Sequence, residues 1–165
     1  MEPYAFAVTV GEASGVRLEV AGGIPTWEAF PAYRHQRLAF NIQSSIRPTA
    51  KHIGDCACVQ VGNVYIRFPD GSLKRPDISI FCREPGEETT AITMLPEAVI
   101  EILSPDYEAK DLSIGVPFYL RSGIKDILVL DPDAGVVRHF RPGFSEARHT
   151  SPVTLTLACG CDVTL

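Results

Sequence analysis

A glutamate stands inside an otherwise apolar run, Ala98-Val99-Ile100-Glu101-Ile102-Leu103. Continuous apolarity of this length, without strict alternation, reads as a strand covered on both faces and central in its sheet. Burying an unpaired carboxylate there costs several kcal/mol even after relaxation, so Glu101 needs a metal, a cation or hydrogen-bond donors beside it. A second acid, Asp77, follows Arg75-Pro76 and opens another apolar strand, Ile78-Ser79-Ile80-Phe81. If the two strands are neighbours, both carboxylates reach one point near the strand ends. Magnesium is held in that way, on one or two carboxylates plus water. Each acid alone also has a plainer reading: Asp77 as a turn acid after proline, and Glu101 as half of a structural ion pair.

The rest of the chain bounds what such a site can serve. At 165 residues, with 45% hydrophobic and 21% charged residues, it suits one globular domain spanning 1–165. No segment reaches the roughly 18 uninterrupted apolar residues of a membrane span. The start, Met1 to Gly15, has no basic n-region and no sustained apolar stretch, so a cytoplasmic location is expected. A net charge of −5 excludes coating of nucleic acid through bulk positive charge. Between Glu28 and Asp55, however, the chain has no acid but carries Arg34, His35, Arg37, Arg47, Lys51 and His52. This window is either a phosphate-facing patch, with Arg34, His35 and Arg37 as candidate nucleic-acid contacts, or an ordinary solvated helix face.

The five cysteines are Cys56, Cys58, Cys82, Cys159 and Cys161, an odd number without an export signal, so structural disulfides are not expected. Cys56-Ala57-Cys58 and Cys159-Gly160-Cys161 repeat one spacing that aims both thiols to one face of a strand. A four-thiolate zinc site is one reading, but zinc knuckles generally have two or more intervening residues. Burial of cysteine as a small apolar side chain carries more weight.

Periodicity places strands at Val16–Val20 and Thr26–Phe30, joined through Gly22-Gly23. A helix over Ala32–Ile46 has Leu38, Ile42 and Ile46 as its buried stripe, with Arg34, Arg37, Asn41 and Ser44 on another face. Cys56–Val61, Val64–Phe68 and Asp77–Cys82 read as a meander. A helix from about Asp106 to Arg121, closed by Gly123, follows the Glu101 strand and buries Leu112, Val116, Tyr119 and Leu120. Ile127–Leu130 and Val136–Phe140 form an antiparallel pair, and Val153–Leu157 suits an edge strand.

Arg75-Pro76-Asp77, Pro96 to Pro105 with Glu101, then Asp111, Tyr119, Gly123 and Ile127 to Pro132 resemble, in order and spacing, the Uma2 (DUF820) family. Arg17-Leu18-Glu19-Val20 before Gly22-Gly23, and His35-Gln36, add weaker likeness. The resemblance implies an α/β (α+β) fold of the PD-(D/E)xK superfamily, a restriction endonuclease-like mixed sheet flanked by helices. It implies hydrolysis of DNA phosphodiester bonds with magnesium or manganese, held by Asp77, Glu101 and the backbone carbonyl of Ile102. It further implies a homodimer, since cutting two strands calls for two sites related by a two-fold axis.

The chain departs from the family where a lysine usually completes the site. Leu103 stands two residues after Glu101, and Gly115 stands four before Tyr119, where such proteins carry the lysine. Ile24 lies near the place of a further acid. Lys110 is the nearby lysine, read either as a substitute catalytic group or as a solvated side chain at a helix start, the commoner fate of long charged side chains. Two functions follow: a metal-dependent endonuclease weakened by the missing lysine, or a catalytically degenerate module that binds nucleic acid or protein.

Overall fold

The strand that carries Glu101 is buried along its whole length in the computed structural model, which describes residues 4–51, 54–87 and 90–165. In chain order the elements are α1 (Ala5–Ala13), β1 (Val16–Ala21), β2 (Ile24–Ala29), α2 (Tyr33–Ser45), β3 (Arg47–Pro48), β4 (Val59–Gly62), β5 (Ile66–Arg67) and β6 (Leu73–Lys74). There follow β7 (Ile78–Phe81), β8 (Ala98–Ile102), α3 (Val116–Arg121), β9 (Asp126–Asp131), β10 (Val136–Phe140), β11 (Ala147–Thr150), β12 (Thr154–Thr156) and β13 (Cys161–Thr164). The main sheet has the order β11-β10-β9-β8-β7-β4. It is mixed: β8 and β9 run parallel, as a strand–helix–strand crossover requires, and the other neighbours are antiparallel.

Alternation along β7, β8 and β9 divides the core in two. Ile78, Ile80, Ile100, Ile102, Leu128 and Leu130 pack with Ala39 and Ile42 of α2 and with Val163 of β13. Phe81, Val99, Ile127 and Val129 face the other way, toward Val116, Phe118 and Tyr119. Glu101 shares the second face, because it alternates with Ile100 and Ile102. Central placement of the Glu101 strand, the β9–β10 pair and α2 agree with expectation.

Two expectations are corrected. The segments Cys56–Val61, Val64–Phe68 and Asp77–Cys82 do not form a meander: β4 pairs with β7, while β5 joins β6 in a separate sheet ordered β2-β1-β6-β5. Asn63, with φ of 55°, turns the chain out of the first sheet, and Arg75 Nε holds its carbonyl at 2.8 Å. The helix after β8 is not regular from Asp106. Asp106 is left-handed (φ 70°), residues 110–115 form a π-helical turn, and the α-helix proper begins at Val116. Pro117 has no amide proton for the i→i−4 bond, so the turn before it widens. Gly123 closes α3 as anticipated, with φ of 85° and Ile124 N donating back to Tyr119 O at 3.1 Å. The helix α1 had no counterpart in the sequence reading. Among the described residues no helix is long and apolar enough to cross a membrane.

Candidate active site

Register brings the two acids together. Ile78 pairs with Ile100, so one position further on Asp77 stands opposite Glu101, and Glu101 Oε2 accepts from the Asp77 backbone N at 3.2 Å. Asp77 Oδ2 accepts from the Ile102 backbone N at 2.8 Å and lies 3.1 Å from His35 Nε2. The same His35 nitrogen is 3.2 Å from Ile102 O. Both of its partners are acceptors, which places the imidazole proton on Nε2. Tyr119 OH donates to Glu101 Oε1 at 2.8 Å from the far side. Asp77, Glu101 and Tyr119 are all within 3% of complete burial.

The first hairpin and the π-helical turn complete the cluster. Arg17 and Glu19 share one face of β1, and Arg17 is paired across the hairpin with Glu28 of β2. Arg17 reaches Asp77 Oδ1 at 3.4 Å, Glu28 Oε2 at 3.5 Å and Asn63 Oδ1 at 2.5 Å. Glu19 takes Lys74 Nζ at 2.7 Å and the Arg75 backbone N at 2.6 Å. The π-helical turn buries two successive residues. Its Lys110 Nζ lies 2.7 Å from Glu28 Oε2, 2.9 Å from Asp111 Oδ1 and 3.2 Å from Glu19 Oε2.

The charges in this cluster do not balance. Five carboxylates (Glu19, Glu28, Asp77, Glu101 and Asp111) are buried with three strong bases, Arg17, Lys74 and Lys110. Protonation of His35, which the hydrogen bond and charge of Asp77 favour against the cost of burial, would still leave one acid over. The excess falls on two groups. Burial, with Asp111 nearby, pushes the Glu101 carboxyl well above the usual range. Burial likewise lifts Asp111 to about 6, against the pull of Lys110. Burial acts in the same sense on Asp77 and Glu19 but is outweighed there. The His35 bond, with the charges of His35 and Arg17, holds Asp77 below its ordinary value, and Lys74 and Lys110 bring Glu19 to about 2. Lys110 is held well above its ordinary value by Glu19, Asp111, Glu101 and Glu28 despite the desolvation that opposes it. It is therefore an ammonium at any neutral pH, a donor and not a base.

The sequence candidates fall out as follows. Asp77, Glu101 and Ile102 are joined through the Asp77 and Ile102 amides, and Lys110 enters the same cluster by way of Glu19, Glu28 and Asp111. Only 6% of Lys110 is exposed, so its reading as a solvated side chain is corrected. The cause is the widened turn, which points it inward. His35 leaves the arginine face altogether, being buried against Asp77, and is corrected as a member of that patch. Arg34 and Arg37 do stay outside. Arg34 binds Asp133 Oδ1 at 2.7 Å, and Arg37 lies over the Phe40 ring at 5.6 Å. His52 lies outside the described residues. Sequence reasoning missed Glu28 and Lys74, and did not see that Arg17 and Glu19 enter the site. Alternation with Leu18 and Val20 gave no signal for these two, because it assigns Arg17 and Glu19 to the solvent face of β1. Lys74 Nζ, from β6, would lie 3.9 Å from a Cβ placed on Gly115, the position at which the resemblance leads a lysine to be expected.

A cavity of about 350 Å³ opens onto this cluster, and Glu28, His35, Ile102, Phe30, Leu38 and Tyr107 are among the residues that line it.

A crystal structure described as "a putative nuclease belonging to DUF820 from Anabaena variabilis ATCC 29413" superposes with a TM-score of 0.63 at 23% identity, covering 84% of this chain and 80% of that one. The fold is therefore the mixed α+β fold of that protein, in a single domain. Among proteins of curated function none matches the chain. The sequence model of the family described as "Uma2: Putative restriction endonuclease" matches residues 3–159, nearly the whole chain, and the chain belongs to that family.

Proposed function

We propose that the chain is a divalent-metal-dependent endonuclease of DNA, of the PD-(D/E)xK kind, with magnesium or manganese held by Asp77, Glu101 and the Ile102 carbonyl. The observation that carries this reading is the uncompensated acid in a buried cluster, with Glu101 and Asp111 both lifted above their ordinary range. Buried carboxylates that repel one another are the donor set a hard dication fits, since its charge replaces the protons they otherwise retain. Asp111 Oδ1 lies 2.9 Å from Lys110 Nζ, so a cation entering the cluster competes with that ammonium for the carboxylate. When bound, the metal lowers the pKa of a water and neutralises charge on the phosphate.

The protein groups divide the remaining work. Arg17 and the Ile102 amide fix the Asp77 carboxylate, and Tyr119 fixes that of Glu101, so both are oriented before any substrate arrives. His35 Nε2–H sits between Asp77 Oδ2 and Ile102 O, the two atoms assigned as ligands, and has to yield its proton or withdraw as they take up a cation. Lys110, held as an ammonium, supplies positive charge where the family's lysine is missing and orients water or a phosphate oxygen by donation.

A second reading, a degenerate module that binds without cutting, is favoured by one observation: the Lys110 ammonium already faces three carboxylates and must release one to act on substrate. Nicking of supercoiled plasmid with magnesium or manganese, against gel-shift binding in EDTA, separates the two. The endonuclease reading expects metal-dependent nicking that is lost in Asp77→Ala and Glu101→Ala, and lost with metal binding retained in Lys110→Ala. No nicking by wild type, with DNA bound in EDTA, would give the protein to the second reading.

A further inference from the structure

All five cysteines of the chain gather at the end of the main sheet remote from Asp77. Cys82 follows β7 and Asp77 precedes it, so at about 3.3 Å per residue the two positions are roughly 16 Å apart. The sulfurs form two overlapping trios, Cys56 with Cys58 and Cys161, and Cys56 with Cys82 and Cys159, each mutually within 4.8 Å. Contrary to the sequence expectation, four of them are joined as disulfides, Cys56–Cys82 and Cys58–Cys161, and Cys159 is free. The reason is proximity: antiparallel β4 and β7 bring Cys56 and Cys82 side by side, and β13 lays Cys161 over Cys58.

Two independent disulfides have no need to touch, yet these do. Cys56 Sγ lies 3.6 Å from Cys161 Sγ, so Cys82, Cys56, Cys161 and Cys58 form one unbroken group of sulfurs. A tetrahedral zinc ion with Zn–S bonds of about 2.3 Å sets its sulfurs about 3.8 Å apart. The Cys56–Cys161 contact already has that spacing and Cys58 lies within 4.8 Å of both, so zinc binding on reduction needs Cys82, which now reaches the trio through Cys56, to move toward Cys58 and Cys161. The backbone is also committed to this cluster. Cys58 is held at φ 52°, a left-handed conformation that a residue with a side chain keeps only where its surroundings enforce it. Gly160, at φ 94°, reverses the chain between Cys159 and Cys161.

We propose that the reduced protein binds one zinc ion through Cys56, Cys58, Cys82 and Cys161, and that the disulfide form and the zinc form are alternative states of one site. Each disulfide takes two electrons and two protons from a dithiol reductant, which leaves as its own disulfide. The four thiols then release four protons as zinc binds their thiolates, and oxidation back to the disulfides expels the ion. Zinc so held ties the segment before β4, the end of β7 and the β12–β13 turn together beneath the α2 core. Nothing in this depends on the nuclease reading.

The test uses the whole protein, reduced with dithiothreitol, desalted without oxygen and titrated with cobalt(II). One equivalent per chain should raise a thiolate-to-cobalt charge-transfer band in the near ultraviolet and the strong visible bands of a tetrahedral ion, and zinc should displace both. Cys58→Ser should weaken cobalt binding by about tenfold or more, while Cys159→Ser should leave the spectrum intact. Native mass spectrometry of reduced wild type with zinc gives the stoichiometry without any variant. A reduced chain that is folded by circular dichroism but shows no tetrahedral cobalt spectrum overturns the site. Loss of the spectrum in Cys159→Ser overturns the ligand assignment. Plasmid nicking, measured on the same samples, reports separately on the site at Asp77.

Discussion

Asp111→Asn isolates the electrostatic cost on which the metal reading rests. Burial lifts the Asp111 carboxyl from 3.8 to about 6, roughly two units at about 1.4 kcal/mol each, or about 3 kcal/mol. The folded-state value lies above the unfolded one. The contribution of Asp111 is therefore fully present below pH 3.8 and is lost as pH rises through 6. Asparagine has the same shape and nothing to ionise, so the variant escapes that loss. Urea unfolding in EDTA, measured from about pH 3 to pH 8, should show the variant gaining about 3 kcal/mol relative to wild type across the range. That is about 6 to 12 °C in Tm for a chain of this size. Other groups titrate too: Glu19 and Asp77, both depressed, weaken the fold as pH falls through their folded-state values. Asp111 acts through its charge on both, and on Glu101, so the difference between the two proteins reports the whole gain from removing one negative charge from the cluster. A gap that stays constant with pH would refute the claim that Asp111 is an uncompensated acid.

Magnesium binding should release protons and weaken as pH falls, because Glu101 holds its proton well above the ordinary carboxylate range; calorimetry in buffers of different ionisation enthalpy counts those protons, and none released would contradict it. Lys110→Met should destabilise the metal-free fold by about 3 to 5 kcal/mol, since it leaves Glu19, Glu28 and Asp111 facing one another, and thermal melts check this. Gly115→Lys should destabilise too, because its Cβ meets Lys110 O at 3.1 Å and its stem points at the Lys74 ammonium; adding Lys74→Met should recover about 1 kcal/mol or more of coupling in a double-mutant cycle. Light scattering should report a homodimer, and an 18.0 kDa species alone at high concentration would refute that.

The part of the site that was legible in the sequence is the part built on long, regular strands. Glu101 is conspicuous because five apolar neighbours surround it, and Asp77 because an apolar strand begins at it. Glu19 was hidden for the opposite reason. Leu18 and Val20 mark one face of β1 as core, so alternation assigns Arg17 and Glu19 to solvent, but the structure buries that face as well. β6 has only two residues, too few for any period to announce that Lys74 points inward. Lys110 depended on a turn widened ahead of Pro117, and a regular 3.6-residue period does not describe such a turn. Spacing showed that each Cys-x-Cys pair shares a face. Only the packing of β13 into the core beside Cys58 shows that both pairs share a place.

The most direct measurement is anomalous X-ray scattering from crystals soaked in manganese(II) near pH 8, where Asp111 is ionised. The account predicts a manganese peak bounded by the carboxylates of Asp77 and Glu101 and the carbonyl of Ile102, with His35 Nε2 displaced from both Asp77 and Ile102. No peak there, with His35 still bonded to Asp77 and Glu101 still bonded to the Asp77 amide and Tyr119, would contradict it.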